Sequence, residues 1–134
     1  MHKKTLLFTG ISGVLAVALG AIGAHTLREQ FHLGEKYLTT YDTAVRYQMY
    51  HTLALFVMSL LLLHFPSKLG HAICGLFMAG IVLFSGSLYF LALRPLMGLG
   101  DGQWRGIGII TPLGGLAFIL GWGLLCVYAL KLKR

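Results

Sequence analysis

The sequence predicts an all-α integral membrane protein, a bundle of four helices with both termini in the cytoplasm. Three observations carry that prediction. Four apolar stretches, at about residues 5–24, 42–65, 72–93 and 107–130, fill most of the 134 residues. Each approaches the roughly 20 residues that a helix needs to cross the hydrocarbon of a bilayer. Hydrophobic residues make up 57% of the chain and charged residues 11%, whereas soluble domains carry about a quarter. A surface facing water could not be covered with so few charges, and almost every charge lies between or outside the apolar stretches. A single domain, residues 1–134, is expected.

The first stretch, residues 5–24, follows Lys3 and Lys4 and carries no charge. A basic start and a small-residue end at Ala21 and Gly23 also fit a signal peptide. The apolar core is longer than such a peptide needs, however. It also has a stripe of small residues, Gly10, Gly13, Ala16, Gly20 and Gly23, at helical spacing. Small residues let helix backbones approach closely inside a membrane, so a retained helix is expected. Residues 25–40 mix His25, Arg28, Glu29, His32, Glu35 and Lys36 around Gly34, the pattern of an interfacial loop with a short amphipathic helix.

The second stretch ends at Phe65, before Pro66, and its first half is polar: Asp42, Arg46, Gln48 and His51. Asp42 and Arg46 stand four apart with the acid first, which lets them pair along one side of a helix. The third stretch has a second small-residue stripe, Ala72, Gly75, Ala79, Val82 and Gly86, and then Ser85, Ser87 and Tyr89. Close contacts are expected along the stripes of the first and third spans. Arg94-Pro95 ends the third span. The glycine-rich loop that follows carries Asp101, Trp104 and Arg105, with Trp104 placed as an interface anchor. In the fourth stretch Pro112 either kinks a continuous helix or stands at its first position behind a Thr111 cap.

Four spans bring both termini to one side. That side holds Lys3, Lys4, Lys68, Lys131, Lys133 and Arg134 and no acid; the other holds Arg28, Lys36, Arg46, Arg94, Arg105 and all four acids. Excess Lys and Arg marks the cytoplasmic face. The formal charge of +7 is thus accounted for by topology, and no nucleic-acid partner is expected. Cys74 and Cys126 lie inside apolar stretches with no metal-ligand spacing, as small packing residues.

Counting inward from the outer ends of the spans, His51, Ser87 and Thr111 fall at a similar depth. Gln48 and Tyr89 lie just above, and His25, Asp42, Arg46 and Arg94 form a rim. If these groups face inward, they make a polar pocket open to the outside. His25, Asp42, Arg46, Gln48, His51, Ser87 and Thr111 are therefore the candidate ligand-binding residues. The bland alternatives are interhelical hydrogen bonding by His51, Gln48, Ser87 and Thr111, a surface ion pair between Asp42 and Arg46, and an interfacial His25. His25 and His51 could meet over a metal, but two histidines without a third ligand make a weak centre, and no metal or cofactor is expected. No nucleophile triad, phosphate loop or carboxylate pair can be read, so no enzyme is expected.

The strings GAIGAH at 20–25, YDTAVRYQMYHTLAL at 41–55, LFSGSLYFLAL at 83–93 and ITPLGG at 110–115, followed by Gly121-Trp122, span nearly the whole chain. Together they resemble the domain of unknown function 423 family, the YgdD/YwdK-like small bacterial inner-membrane proteins. The resemblance implies a multi-pass protein of the inner membrane and implies no reaction. The expected function is binding of a small ligand or lipid headgroup in the polar layer, with Arg46 as a bidentate phosphate donor. The alternatives are a structural or assembly subunit, or a small oligomeric transporter. The expected partners are the bilayer and either a second copy or another membrane protein.

Overall fold

A computed structural model describes residues 2–100 and 106–132, and these form helices joined by short turns. The expectations for Asp101, Trp104, Arg105, Lys133 and Arg134 lie outside the described residues. Helix α1, His2–Ala21, runs on as a π-helical segment, Ile22–Gln30. The expected loop at 25–40 is therefore helical except at residues 31–34. The chain turns back through His32, which takes a left-handed conformation at φ 47°. Helix α2, Glu35–His64, begins seven residues before the expected span at 42. Pro66 stops it, and Ser67 caps helix α3, Lys68–Gly80, by accepting from the Leu69 amide at 3.1 Å. A π-helical turn, Ile81–Ser85, leads into helix α4, Gly86–Leu93, and the rod closes in a 3₁₀ turn, Arg94–Met97. Helix α5, Ile107–Lys131, contains Pro112, so the continuous-helix alternative holds there rather than a cap at Thr111.

Among the described residues, three helical rods are long and apolar enough to cross a membrane: Lys3–Gln30, Lys68–Met97 and Ile107–Lys131. The second expected span, residues 42–65, falls on α2 up to His64, and α2 is long enough but falls short in apolarity. Its first half carries Asp42, Arg46, Gln48 and His51. Gln48 and His51 are turned into protein.

The side-chain distribution is inside-out. Leu7, Val17 and Ile119 are 63%, 66% and 69% exposed, while Thr5, Thr9 and Ser12 on the inner face of α1 are buried. Water would penalise such an exterior heavily, since exposed apolar area costs about 25 cal/mol per Å². Lipid does not, because hydrocarbon tails are as apolar as leucine.

Helix α1 lies against α2, and α3 lies against α5, with α2 also touching α3 and α4. The small-residue stripe of α1 does face α2. A Cβ on Gly23 would meet the Tyr41 ring at 2.7 Å, one on Gly20 would meet Val45 at 3.4 Å, and Ala16 is fully buried. Gly10 alone has no neighbour there. The stripe of the third rod is a correction: Ala72, Gly75, Ala79, Val82 and Gly86 are all exposed. The opposite face, with Ile73, Cys74 and Phe77, is buried instead. Its rings fit glycine notches. Phe77 fills the space beside Gly121, where a Cβ would stand 2.6 Å from the ring, and Phe118 fills the space beside Gly80. Gly114 lies directly on the backbone of Phe84. An aromatic ring set into a glycine notch makes more dispersion contact than small residues on small residues, which is why the bulky face is the one that packs.

Gly114→Ala is therefore expected to cost about 1–3 kcal/mol through overpacking, seen as a lower thermal midpoint in mild detergent. Gly75→Ala should stay within about 0.5 kcal/mol of the parent. Equal midpoints for the two variants would contradict this packing.

Candidate functional site: the interhelical polar layer

Gln48 projects from α2 between two neighbouring helices and is 5% exposed. Its Nε2 donates to the Ser12 carbonyl of α1 at 3.0 Å, with Ser12 Oγ at 3.4 Å. Its Oε1 accepts from the Tyr89 hydroxyl of α4 at 2.7 Å. One side chain thus joins α1, α2 and α4. Thr52, one turn further along α2, donates to the Gln48 carbonyl at 2.7 Å, and its Oγ1 lies 2.7 Å from Ser12 Oγ. A hydroxyl has one proton, so with Thr52 committed to the carbonyl, Ser12 is the donor in that pair. The Tyr41 hydroxyl donates to the Leu19 carbonyl at 2.9 Å, and its ring meets Tyr89 edge-on at 5.1 Å.

His51 forms a second centre. Its Nδ1 lies 2.8 Å from the Tyr47 carbonyl, and the Trp122 Nε1–H of α5 donates to its Nε2 at 3.1 Å. A carbonyl only accepts and an indole N–H only donates. The two partners together specify the neutral imidazole with its proton on Nδ1. Phe118 stacks on the ring at a centroid distance of 3.4 Å and an angle of 9°, and Phe77 meets its edge at 5.5 Å. A third centre pairs Ser87 Oγ with Thr111 Oγ1 at 2.6 Å, while Ser87 donates to the Phe84 carbonyl at 3.0 Å.

The structure thus divides the candidate residues. Ser87 and Thr111 share a depth and touch. Gln48 reaches the same region through Tyr89. His51 stands apart from them, beside Phe118 and Trp122. These four side chains bond to protein rather than line an open pocket.

The other three lie on the outside. Arg46 reaches Asp42 through Nε at 2.9 Å and through Nη2, with both side chains more than half exposed. Asp42 also lines a cleft of about 300 Å³ with Gly20, Gly23, Arg28 and Tyr41, between α1 and α2. His25 is exposed beside Glu29 at 3.9 Å, whereas His51 is buried. Among the described residues no three His, Cys, Asp or Glu side chains come together as a metal site.

Ser12, Thr52 and Trp122 complete the layer and are not among the polar residues singled out from the sequence, whereas Tyr89 is placed beside Gln48 there but outside the ligand-binding candidates. Thr52 could have been found four residues from Gln48. Trp122 was visible as an indole in the middle of a span, where its N–H needs a partner. Ser12 has no distinguishing signal, since serine is common between membrane helices.

Residues 19–115 match the family described as protein of unknown function (DUF423). The chain is 42% identical over 130 residues to the UPF0382 membrane protein YwdK of Bacillus subtilis, covering 96% of this chain and 98% of that one. It is 41% identical over 129 residues to a UPF0382 membrane protein of Staphylococcus epidermidis, covering 96% and 97%. The UPF0382 inner membrane protein YgdD of Escherichia coli is 39% identical over 129 residues, covering 96% and 91%. No solved structure matches.

A double-mutant cycle between Gln48→Leu and Tyr89→Phe should give a coupling of about 0.6–1.7 kcal/mol in detergent, the range seen for hydrogen bonds between membrane helices. Additive effects would show that the 2.7 Å contact contributes nothing. Nitrogen NMR of labelled His51 should report the neutral Nδ1–H form, retained in Trp122→Phe because the Tyr47 carbonyl still requires that proton; a neutral Nε2–H form would contradict the geometry.

Proposed function

Because this chain belongs to the DUF423 family of membrane proteins, we propose that it is a four-span bundle of the bacterial inner membrane that serves as a structural or assembly subunit and catalyses no reaction. Both termini lie in the cytoplasm, as the Lys and Arg distribution favours. Helix α2 is the second span. Its polar half is compatible with the membrane because Gln48 and His51 are bonded inside the bundle. The observation that carries the structural reading is the Gln48 amide, with donor and acceptor ends both held by other helices. Such a group sets the rotation and axial register of three helices at once. The rigid exterior that results is what a partner in the same bilayer would recognise.

A second reading has its own observation. The cleft between α1 and α2 brings Arg28 and Asp42 to one opening, with Arg46 paired to Asp42 at its edge. Opposite charges at the mouth of a cleft suit a zwitterionic lipid headgroup. There Arg46 would donate hydrogen bonds to the phosphate, and the buried layer would shape the cleft from below. A small oligomeric transporter is the remaining alternative, and solute or proton flux in liposomes tests it.

The two leading readings part on Arg46→Ala. The structural role predicts an unchanged set of bound masses in native mass spectrometry, with Gln48→Leu lowering the thermal midpoint. A lipid mass lost on Arg46→Ala at an unchanged midpoint would replace it with the headgroup reading. For topology, a cytoplasm-active reporter joined to the C-terminus should be active and a periplasm-active one silent; the reverse would sink the orientation.

A further inference from the structure

At the end of the bundle far from Asp42, a cavity of about 370 Å³ opens where α2 stops, Pro66 turns the chain and α5 ends. We propose that this cavity binds a phosphate group, with His64, Ser67 and Lys131 as its polar wall and Phe65 and Leu69 as an apolar wall. The inference goes beyond the register role of the polar layer. It rests on the four-span reading only in placing the cavity at a membrane face.

The frame of the cavity is built. The Tyr128 hydroxyl donates to the Phe65 carbonyl at 2.8 Å, tying α5 to the turn after α2. Ser67 Oγ accepts the Leu69 amide at 3.1 Å, which leaves its own proton for an acceptor. His64 Nδ1 stands 3.2 Å from the Leu60 carbonyl, so in the neutral ring Nε2 is an acceptor and the hydrogen bonds to the phosphate come from Ser67 and Lys131. Lys131 is exposed at the cavity wall. Lys68 follows Ser67 directly.

The charge around the cavity has one sign. The acidic side chains of the sequence stand at 29, 35, 42 and 101. Asp42 is 22 residues before His64 on the same helix, or about 33 Å at helical rise. Among the described residues, an anion at this end therefore meets Lys131 and no carboxylate side chain in the cavity lining. Basic pockets between helices at a cytoplasmic face are the usual seats of acidic lipid headgroups. The apolar wall continues onto the outer surface through Leu63 and Leu130, which are 62% and 88% exposed. A cavity cationic on one side and apolar on the other suits a phosphate that carries acyl chains. Free inorganic phosphate presents the same oxygens, and the test separates the two.

The test titrates the purified full-length protein, in mild detergent, with short-chain phosphatidylglycerol, short-chain phosphatidylcholine and inorganic phosphate. Phosphatidylglycerol should bind better than phosphatidylcholine, whose ammonium faces Lys131. Lys131→Gln should weaken phosphatidylglycerol binding about tenfold, the loss expected for one charge-assisted hydrogen bond. Lys36→Gln removes the same charge at the other end and should change nothing, and Lys131→Arg should retain binding. The cationic variant keeps the test decisive if Lys131→Gln disturbs the last turn of α5. Displacement of the lipid by inorganic phosphate would support the site with free phosphate as a source; resistance to displacement would support it as a lipid site. Equal binding by the Lys131→Gln and Lys36→Gln proteins, or equal affinity for the two lipids, would overturn the proposal. The binding is read without reference to membrane orientation, so a misplaced terminal reporter would remove the topology and leave this result standing.

Discussion

An amide in the interior of a membrane bundle must find partners within the protein, since neither lipid nor bulk water supplies them. Gln48 imposes that condition on this fold. Its donor end requires an acceptor on α1, and the Ser12 carbonyl provides one where Ser12 also meets Thr52. Its acceptor end requires a donor from the opposite side, and Tyr89 supplies it. The small residues of α1 follow from the same condition. A backbone carbonyl on α1 comes within reach of a side chain on α2 because Gly13, Ala16, Gly20 and Gly23 let the two helices close together.

The other half of the bundle is held by rings in notches rather than by hydrogen bonds. Phe77, Phe84 and Phe118 occupy the spaces beside Gly121, Gly114 and Gly80, and His51 stacks on Phe118 within that cluster. With no hydrophobic drive between helices in lipid, fit of this kind supplies the attraction. The imidazole takes part as an aromatic plate whose two nitrogens are already bonded.

The two ends of the molecule differ in electrostatic character. Near the start of α2, acids and bases occur together and pair, as Asp42 does with Arg46 and Arg28 with Glu35. At the end of α2, among the described residues, Lys131 stands without an acidic side chain in the lining of a cavity with one apolar wall. The first arrangement is nearly neutral locally. The second is locally cationic.

Much of the architecture was legible in the sequence because membrane solvation acts on composition and length. Unbroken apolar runs, scarce charges and the Pro66 and Arg94-Pro95 stops determined an all-α membrane protein, the helical rods and their approximate ends. The i,i+4 pair of Asp42 and Arg46 and the α1 stripe were also set locally, since helix geometry alone places those residues together. Tertiary structure decided the rest. Two faces of the third rod had plausible packing patterns, and only the glycines of α5 selected Phe77 over Gly75. Residues at one counted depth proved to belong to separate centres, because depth along a helix leaves rotation undetermined. The partners of Gln48 and His51 come from residues 36, 41 and 71 positions away. Spacing within one helix carries no information about which distant donor will face a given acceptor, so that choice waited on the packing of the helices themselves.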